Sequence, residues 1–283
     1  MTMKDSAFPP EVEPPENVLR AWGEPLVAEG TIGRSVWLVR QGAESFILKK
    51  RASAIPPEAE GSMLRLLLEQ GIPVAPPIPA SSGQQALTCE TGQWALYPRL
   101  PGRSATMRAL AMPEAQALGA ALAALHRAFC HVVAGDWLAS LSLKTDLQGC
   151  AIGLIHRDFH ASNILFHAGR VSGIVDFDLA CKGPRTFDVA YLAVSLLADS
   201  WSDSAARERF SPVLVEIVRG YETRTQLSAQ EISSVPLLLE EIEEMFVALG
   251  RTIGNRHMEM GAAEVQAWLQ ARRGETIEAL AAR

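Results

Sequence analysis

The spacing of apolar and polar residues changes near residue 100. Before that point the apolar runs are short and strand-like. Ser35 to Arg40 and Ser45 to Lys50 flank Gln41-Gly42-Ala43-Glu44, and this arrangement predicts a hairpin. A helix follows, with Pro56 and Pro57 in its first turn. Met63, Leu64, Leu67 and Leu68 recur at helical spacing until Gly71 and Pro73 stop it. Pro73, Pro76, Pro77 and Pro79 then break the chain before a second hairpin-like stretch around Ser81 to Gln84, which ends in the apolar strand Trp94 to Tyr97. Pro98-Arg99-Leu100-Pro101-Gly102 reads as a hinge. Beyond it the period becomes helical. Pro113 opens a helix with Leu118, Ala121, Leu122, Leu125 and Phe129 on one face, and further helices are predicted over Thr186–Ala198, Ser204–Tyr221, Pro236–Arg251 and Ala262–Ala282. The pattern predicts an α+β chain in two lobes. A small N-terminal lobe spans residues 1–97, a linker 98–102, and a larger, mainly helical lobe 103–283. Residues 1–20, with Pro9, Pro10, Pro14 and Pro15, read as an extended lead-in.

Composition narrows the function classes. Of 283 residues, 48% are hydrophobic and 20% charged, the balance of a globular chain. Thirty-two acidic against 26 basic residues leave a net charge of -6, which offers no basic footprint for nucleic acid or an anionic membrane surface. The longest apolar run, Val189 to Ala198, is interrupted by Ser195 and is about half of the ~20 residues a membrane-spanning helix needs. No secretory apolar region follows the start. Cys89, Cys130, Cys150 and Cys181 form no C-x-x-C pair, so reduced thiols in a cytoplasm are expected.

Candidate chemistry is concentrated. Five of the nine aspartates lie between Asp158 and Asp199. Ile164–Phe166 and Val171–Val175 are predicted to pair as antiparallel strands about a Gly169-Arg170 turn. That register sets Asn163 opposite Asp176 at the hairpin mouth, with Asp158 in the entering loop. An amide oxygen beside a carboxylate is a pair of hard ligands suited to Mg²⁺, and a second carboxylate nearby can serve as base. Turn capping is the ordinary use of such residues. His156 and His160 flank Asp158 in an H-x-D-x-H pattern, but the further ligands a metal-dependent hydrolase needs are missing.

His156-Arg157-Asp158 through Asn163, followed by Asp176-Phe177-Asp178, resembles the catalytic loop and metal-binding motif of the protein-kinase-like superfamily, closest to its aminoglycoside phosphotransferase, homoserine kinase and choline kinase group. The likeness covers most of the chain from about residue 25. Phe46-Ile47-Leu48-Lys49 resembles the strand ending in the phosphate-binding lysine, and Glu60 stands where the family carries the helix glutamate that pairs with it. Lys50 competes with Lys49 for the first role and Glu58 with Glu60 for the second. Trp94 to Gly102, with Tyr97, Arg99 and Leu100, resembles the linker that borders the nucleotide. Gly183-Pro184-Arg185-Thr186-Phe187-Asp188 resembles a structural turn and its aspartate.

The resemblance implies a bilobal protein-kinase-like fold using ATP and Mg²⁺. It makes Asp158 the catalytic base, Asn163 and Asp176 the metal ligands, and Lys49, fixed by Glu60, the holder of the α/β-phosphates. His156 would support the loop, Asp188 would accept backbone N–H groups beneath it, and Asp178 would be a second metal ligand or a loop hydrogen-bonder. The family's Gly-rich loop is represented only by Glu29 to Ser35, which is not G-x-G-x-x-G.

Only six residues separate Asp176 from Gly183, which leaves no room for a protein kinase's activation segment and points to a small-molecule hydroxyl acceptor. Glu240, Glu241, Glu243 and Glu244 form either an acidic wall for a cationic acceptor or a solvated helix face. Aminoglycoside-like and amino-alcohol or amino-acid acceptors, of the homoserine, choline or ethanolamine type, are the expected classes. A macromolecular kinase and a silent nucleotide-binding module are the alternatives.

Overall fold

The computed structural model describes residues 13–133 and 135–283, and the chain falls into two compact units. The first comprises the chain through Pro101 together with Gly173–Leu179; the second comprises Gly102–Ser172 and Ala180–Arg283.

In the first unit a short helix α1 (Glu16–Leu19) precedes strands β1 (Val27–Gly33), β2 (Val36–Gln41) and β3 (Glu44–Arg51), helix α2 (Pro57–Glu69), and strands β4 (Leu87–Cys89) and β5 (Gly92–Pro98). The five strands form one antiparallel sheet in the order β1-β2-β3-β5-β4. The β2–β3 hairpin closes through Gly42-Ala43 with Gln41 opposite Glu44, as its turn residues predict. The second hairpin lies further along than Ser81–Gln84. It is β4–β5, turning at Glu90-Thr91, and Ser81–Gln84 is only a bend held by Ala80 N–H to the Gln84 carbonyl.

Leu48, Trp37 and Leu96 are mutually paired, so they share one sheet face, and there they join Trp94, Val39, Trp22 and Val18 in a dry cluster. The Trp37 and Trp94 rings lie 5.2 Å apart. Val18 and Trp22 correct the expected extended lead-in: residues 1–12 lie outside the described residues, but from Glu16 the chain is helical and Val18 is fully buried. The indole of Trp22 donates to the Ile78 carbonyl at 2.8 Å, which pins this segment over the sheet.

The second unit contains β6 (Arg103–Ser104), α3 (Met112–Phe129), β7 (Ile152–Ile155), a 3₁₀ turn (Ala161–Asn163), β8 (Ile164–His167), β9 (Arg170–Ile174, whose last two residues belong to the first unit), β10 (Cys181–Pro184) and α4 (Arg185–Asp199). Helices α5 (Ser204–Glu208), α6 (Phe210–Glu222), α7 (Ala229–Thr252), α8 (Arg256–Ala271) and α9 (Arg273–Ala281) complete it.

Three helix boundaries differ from expectation. The helix expected over Ser204–Tyr221 is divided at Arg209, and the one expected over Ala262–Ala282 is divided at Arg272. The third starts seven residues before Pro236, because Ser228 and Glu231 form a capping box that sets α7's start, leaving Pro236 inside the helix. None of the helices among the described residues is long and apolar enough to cross a membrane, and all four cysteines are free thiols.

Helices α3 and α6 approach until their backbones meet at two glycines. A Cβ on Gly119 would lie 1.8 Å from the Ile217 carbonyl oxygen, and one on Gly220 would lie 2.0 Å from that of Gln116. In an open helix, Gly→Ala stabilises by about 1 kcal/mol. Gly119→Ala or Gly220→Ala should instead destabilise by about 3 kcal/mol or more, because backbone cannot yield as a side-chain tip can. Gly261→Ala in α8, with nothing within 4 Å, is the control that should be neutral or stabilising in denaturant unfolding.

Candidate active site

Strand alternation decides between the two lysines. Lys50 shares a face with Leu48 and lies opposite Trp94, whereas Lys49 and Arg51 point to the other face, the one that Tyr97 joins from β5. Lys49 does not pair with Glu60. Its ammonium contacts Asp176 Oδ1 and Asp178 Oδ2, each at 2.8 Å. Glu60 is taken by Arg51, whose Nε donates to Oε2 at 3.0 Å, while the Tyr97 hydroxyl donates to Oε1 at 2.9 Å.

The cause is local. Helix α2 begins six residues after β3 ends, so its first turn lies at the strand's end, and there the planar guanidinium engages the carboxylate with two donors. Of the two competing glutamates, Glu60 is buried and Glu58 exposed. Burial would lower the Lys49 pKa, but the two aspartates outweigh it and hold the ammonium charged. Asp178 Oδ1 is buried without a hydrogen-bond partner, and Asp176 sits in the left-handed region at φ 70°. That backbone conformation is costly for a non-glycine residue and typical of functional turns. Glu29–Gly33 is strand β1 with two irregularities in its register.

In the second unit the loop after β7 carries the other residues. Asp158 is oriented through both oxygens: the Tyr191 hydroxyl donates to Oδ1 at 2.9 Å, and Asn163 Nδ2 donates to Oδ2 at 3.0 Å and to the Asp158 carbonyl at 3.1 Å. Asn163 is buried, and its amide nitrogen is spent on Asp158, so its Oδ1 is the atom left for a ligand. Burial alone would raise the Asp158 pKa; His160, 3.5 Å away, with His156 and Tyr191, lowers it below the ordinary value. Tyr191 is correspondingly pushed well above a normal phenol, by burial and by the Asp158 charge.

Asp188, fully buried in the first turn of α4, accepts from the backbone N–H of His156 at 2.7 Å and of Arg157 at 2.8 Å. Its Oδ2 also meets His126 Nε2 at 3.0 Å, and His126 Nδ1 meets the Tyr221 hydroxyl at 2.9 Å. These contacts hold Arg157 in the left-handed region, at φ 66°.

The hairpin register differs from expectation. Its turn residues are Ala168 and Gly169, at φ 50° and 74°, one position earlier than the predicted Gly169-Arg170. His167 and Arg170 therefore close the hairpin, and the register that would set Asn163 opposite Asp176 is not formed. Arg99 and Leu100 follow β5 in the linker segment.

The glutamates of α7 are not one acidic wall. Glu240 pairs with Arg273 (2.6 Å), Glu241 accepts from the Lys144 and Thr145 backbone, and Glu244 pairs with Lys144 Nζ (2.6 Å). Glu243 differs, being 2% exposed with its pKa raised by burial to about 8. It lies one turn before Phe246, whose ring packs 6.0 Å from that of Tyr191.

Sequence reasoning missed Arg51, Tyr191 and His126. Two had a signal. Arg51 stands two residues after Lys49 on the same strand face, and Tyr191 stands three after Asp188 on the same helix face. His126 shows no motif spacing.

Fold and site together define a protein-kinase-like small-molecule kinase. The sequence profile of the phosphotransferase enzyme family matches residues 25–136 and 134–229, and the chain belongs to that family. Homoserine kinase from Phenylobacterium zucineum (strain HLK1) is 26% identical over 257 residues, covering 76% of each chain. Amicoumacin kinase hAmiN, solved with AMP-PNP, Ca²⁺ and amicoumacin, superposes with a TM-score of 0.67 at 18% identity, over 93% of this chain and 91% of that one. A microcompartment-associated aminopropanol kinase gives 0.67 at 16% identity, over 92% and 97%.

The buried Glu243 has a measurable consequence. Its carboxyl ionises near 4.5 in the unfolded chain and near 8 in the folded one. Its contribution is therefore fully present below about pH 4.5 and is lost as pH rises through about 8. Glu243→Gln should gain stability on the parent by a few kcal/mol, roughly, as pH rises from about 5 to about 9 in urea unfolding. Parallel pH profiles would show that the carboxyl is not desolvated.

Proposed function

We propose that this enzyme is a Mg-ATP-dependent O-phosphotransferase that moves the γ-phosphate to the hydroxyl of a small amine-bearing acceptor, an amino alcohol or amino acid of the homoserine kind. The observation that carries the reading is the state of Asp158: ionised, desolvated and fixed through both oxygens by Tyr191 and Asn163. A carboxylate so held can accept and orient a hydroxyl proton while the chemistry asks little else of the protein but positioning and charge neutralisation.

Lys49 would hold the α/β-phosphates, with Tyr97, Arg99 and Leu100 bordering the nucleotide. The Tyr97 hydroxyl is already committed to Glu60, which leaves its ring for that role. The donor set suits a hard divalent ion. In the first unit the buried, unpartnered Asp178 Oδ1 and the second oxygen of Asp176 are hard oxygen ligands, the role that the family resemblance also gives Asn163. When bound, Mg²⁺ would neutralise charge on those phosphate oxygens.

The acceptor class rests on Glu243. A buried carboxyl without a counter-charge stays protonated near neutrality, an ammonium beside it would draw it into an ion pair, and α7 sets it against the α4 face whose Tyr191 grips Asp158. The homoserine and aminopropanol kinases among the relatives belong to the same acceptor class. A macromolecular acceptor is disfavoured because β10 and α4 follow Asp178 after two residues, leaving no docking segment.

Thermal shift with ATP and Mg²⁺, followed by γ-phosphate transfer to L-homoserine, ethanolamine, 1-amino-2-propanol, choline and an aminoglycoside, tests the reading. Asp158→Asn should keep the Mg-ATP shift and lose about 10²-fold or more in kcat. Asp176→Ala should lose the Mg²⁺-dependent part of the shift. Glu243→Gln should raise KM for the amine acceptor with little change in kcat. Transfer confined to neutral or anionic acceptors would refute the amine-bearing class, and a missing Mg-ATP shift in the parent would refute the cofactor assignment.

A further inference from the structure

The second unit contains a cavity of about 400 Å³ that uses none of Asp158, Asn163 or Tyr191. Its apolar lining comes from Phe129 at the end of α3, Ile152 and Leu154 on β7, and Leu138. Ile152 is half exposed there, an uncommon state for a strand isoleucine. Three cationic side chains, Arg127, Lys182 and Arg185, border the same space. Arg185 is neutralised by Glu231 at 2.6 Å, but Arg127 and Lys182 have no carboxylate partner among the described residues. Thr225 also lines the cavity, and its Oγ1 is buried with no hydrogen-bond partner. The chain's net charge is -6, so two cations without a carboxylate partner around one apolar hollow run against the general charge of the molecule.

We propose that this cavity is a binding site for a small amphiphilic anion. An aromatic or aliphatic body would fill the apolar floor, and a carboxylate, sulfonate or phosphate would meet Arg127 and Lys182. The volume falls in the range of small-molecule sites, and few polar groups set against an apolar lining is their usual make-up. His126 is both a wall of this cavity and the residue that joins Tyr221 to Asp188, which holds the His156 and Arg157 amides. An occupant therefore bears on the backbone from which Asp158 projects, and the coupling is reciprocal: whatever firms that loop tightens the site.

The probe is 1-anilinonaphthalene-8-sulfonate, with uncharged N-phenyl-1-naphthylamine as the same body without the anion. The folded full chain should bind the sulfonate one to one, and R127Q/K182Q should weaken it at least about tenfold, as expected for losing two charge-assisted contacts. The uncharged analogue should bind the parent and the double variant alike. Both substituted side chains are exposed, so the variant should unfold at the parent's temperature. Hydrogen–deuterium exchange of a peptide spanning His156 and Arg157 should slow with the probe in the parent and not in the variant. Sulfonate binding untouched by the two substitutions, or no stoichiometric binding at all, overturns the site. Charge-dependent binding without protection of those amides overturns its coupling to the loop.

Discussion

A single buried carboxyl holds the loop that carries Asp158 in place. Asp188 projects from the first turn of α4, and its two oxygens take the consecutive amides of His156 and Arg157 together with the ring of His126. Two consecutive N–H groups can point at one carboxyl only if the chain between them turns sharply, and Arg157 does so at φ 66°. A left-handed non-glycine residue costs on the order of 1–3 kcal/mol, so the conformation persists because the surroundings over-determine it. The strain is local, but it decides where Asp158, the next residue, is presented. From there Tyr191, on the same helix as Asp188, and Asn163, at the end of the 3₁₀ turn, fix the carboxylate's two oxygens separately. One helix thus supplies both the anchor of the loop and one of the two clamps on the Asp158 carboxylate.

The first unit solves a different problem, the placement of several charges on one sheet face with little water. Lys49 and Arg51 project side by side from β3, and each must find an anion. Arg51 meets Glu60 where α2 begins, and the Tyr97 hydroxyl occupies that glutamate's other oxygen. Lys49 is left to Asp176 and Asp178, which arrive on the segment 173–179 from far along the chain. Breaking the buried Arg51–Glu60 pair would strand a desolvated charge, a loss of about 3–5 kcal/mol, whereas the Lys49 contacts are open on the Asp176 side. The distinction is between a structural ion pair sealed from solvent and one open to it: Arg51 and Glu60 are buried together, whereas Lys49 meets an Asp176 that is about one-third exposed.

Much of this was legible in the residues, for physical reasons that also mark the limits. The β2–β3 hairpin, α2, α3 and α4 follow local period and punctuation, and the motif from His156 to Asp178 carries its own spacing. What failed were choices between neighbouring residues that each suit the same role. The Lys49–Glu60 pairing rested on a family pattern, although Arg51, on the same strand face and two residues nearer α2, is the better-placed cation. The hairpin register slipped by one residue because Ala168 accepts a positive φ that favours glycine, and a turn read from composition cannot distinguish Ala168-Gly169 from Gly169-Arg170. Helix α7 begins early because Ser228 and Glu231 cap each other, a signal present in the sequence but overridden by the attraction of Pro236 as a first-turn residue.

The four glutamates of α7 show why counting charges along a helix misleads. Glu240 and Glu244 share a face at i and i+4, and as bare charges they would form a repulsive patch. Each is instead met by a cation from elsewhere, Arg273 from α9 and Lys144 from the segment before β7, and Glu241 is turned into a cap for the backbone at Lys144 and Thr145. Those three glutamates fasten the C-terminal helices and the 144–145 segment to α7. Only Glu243, lying between them and turned inward, has its charge unclaimed, and burial keeps it protonated near neutrality. A carboxyl in that state costs little while it stays neutral and becomes a strong site once a cation enters. The functional candidate on this helix is therefore the glutamate with no partner, not the acidic run that contains it.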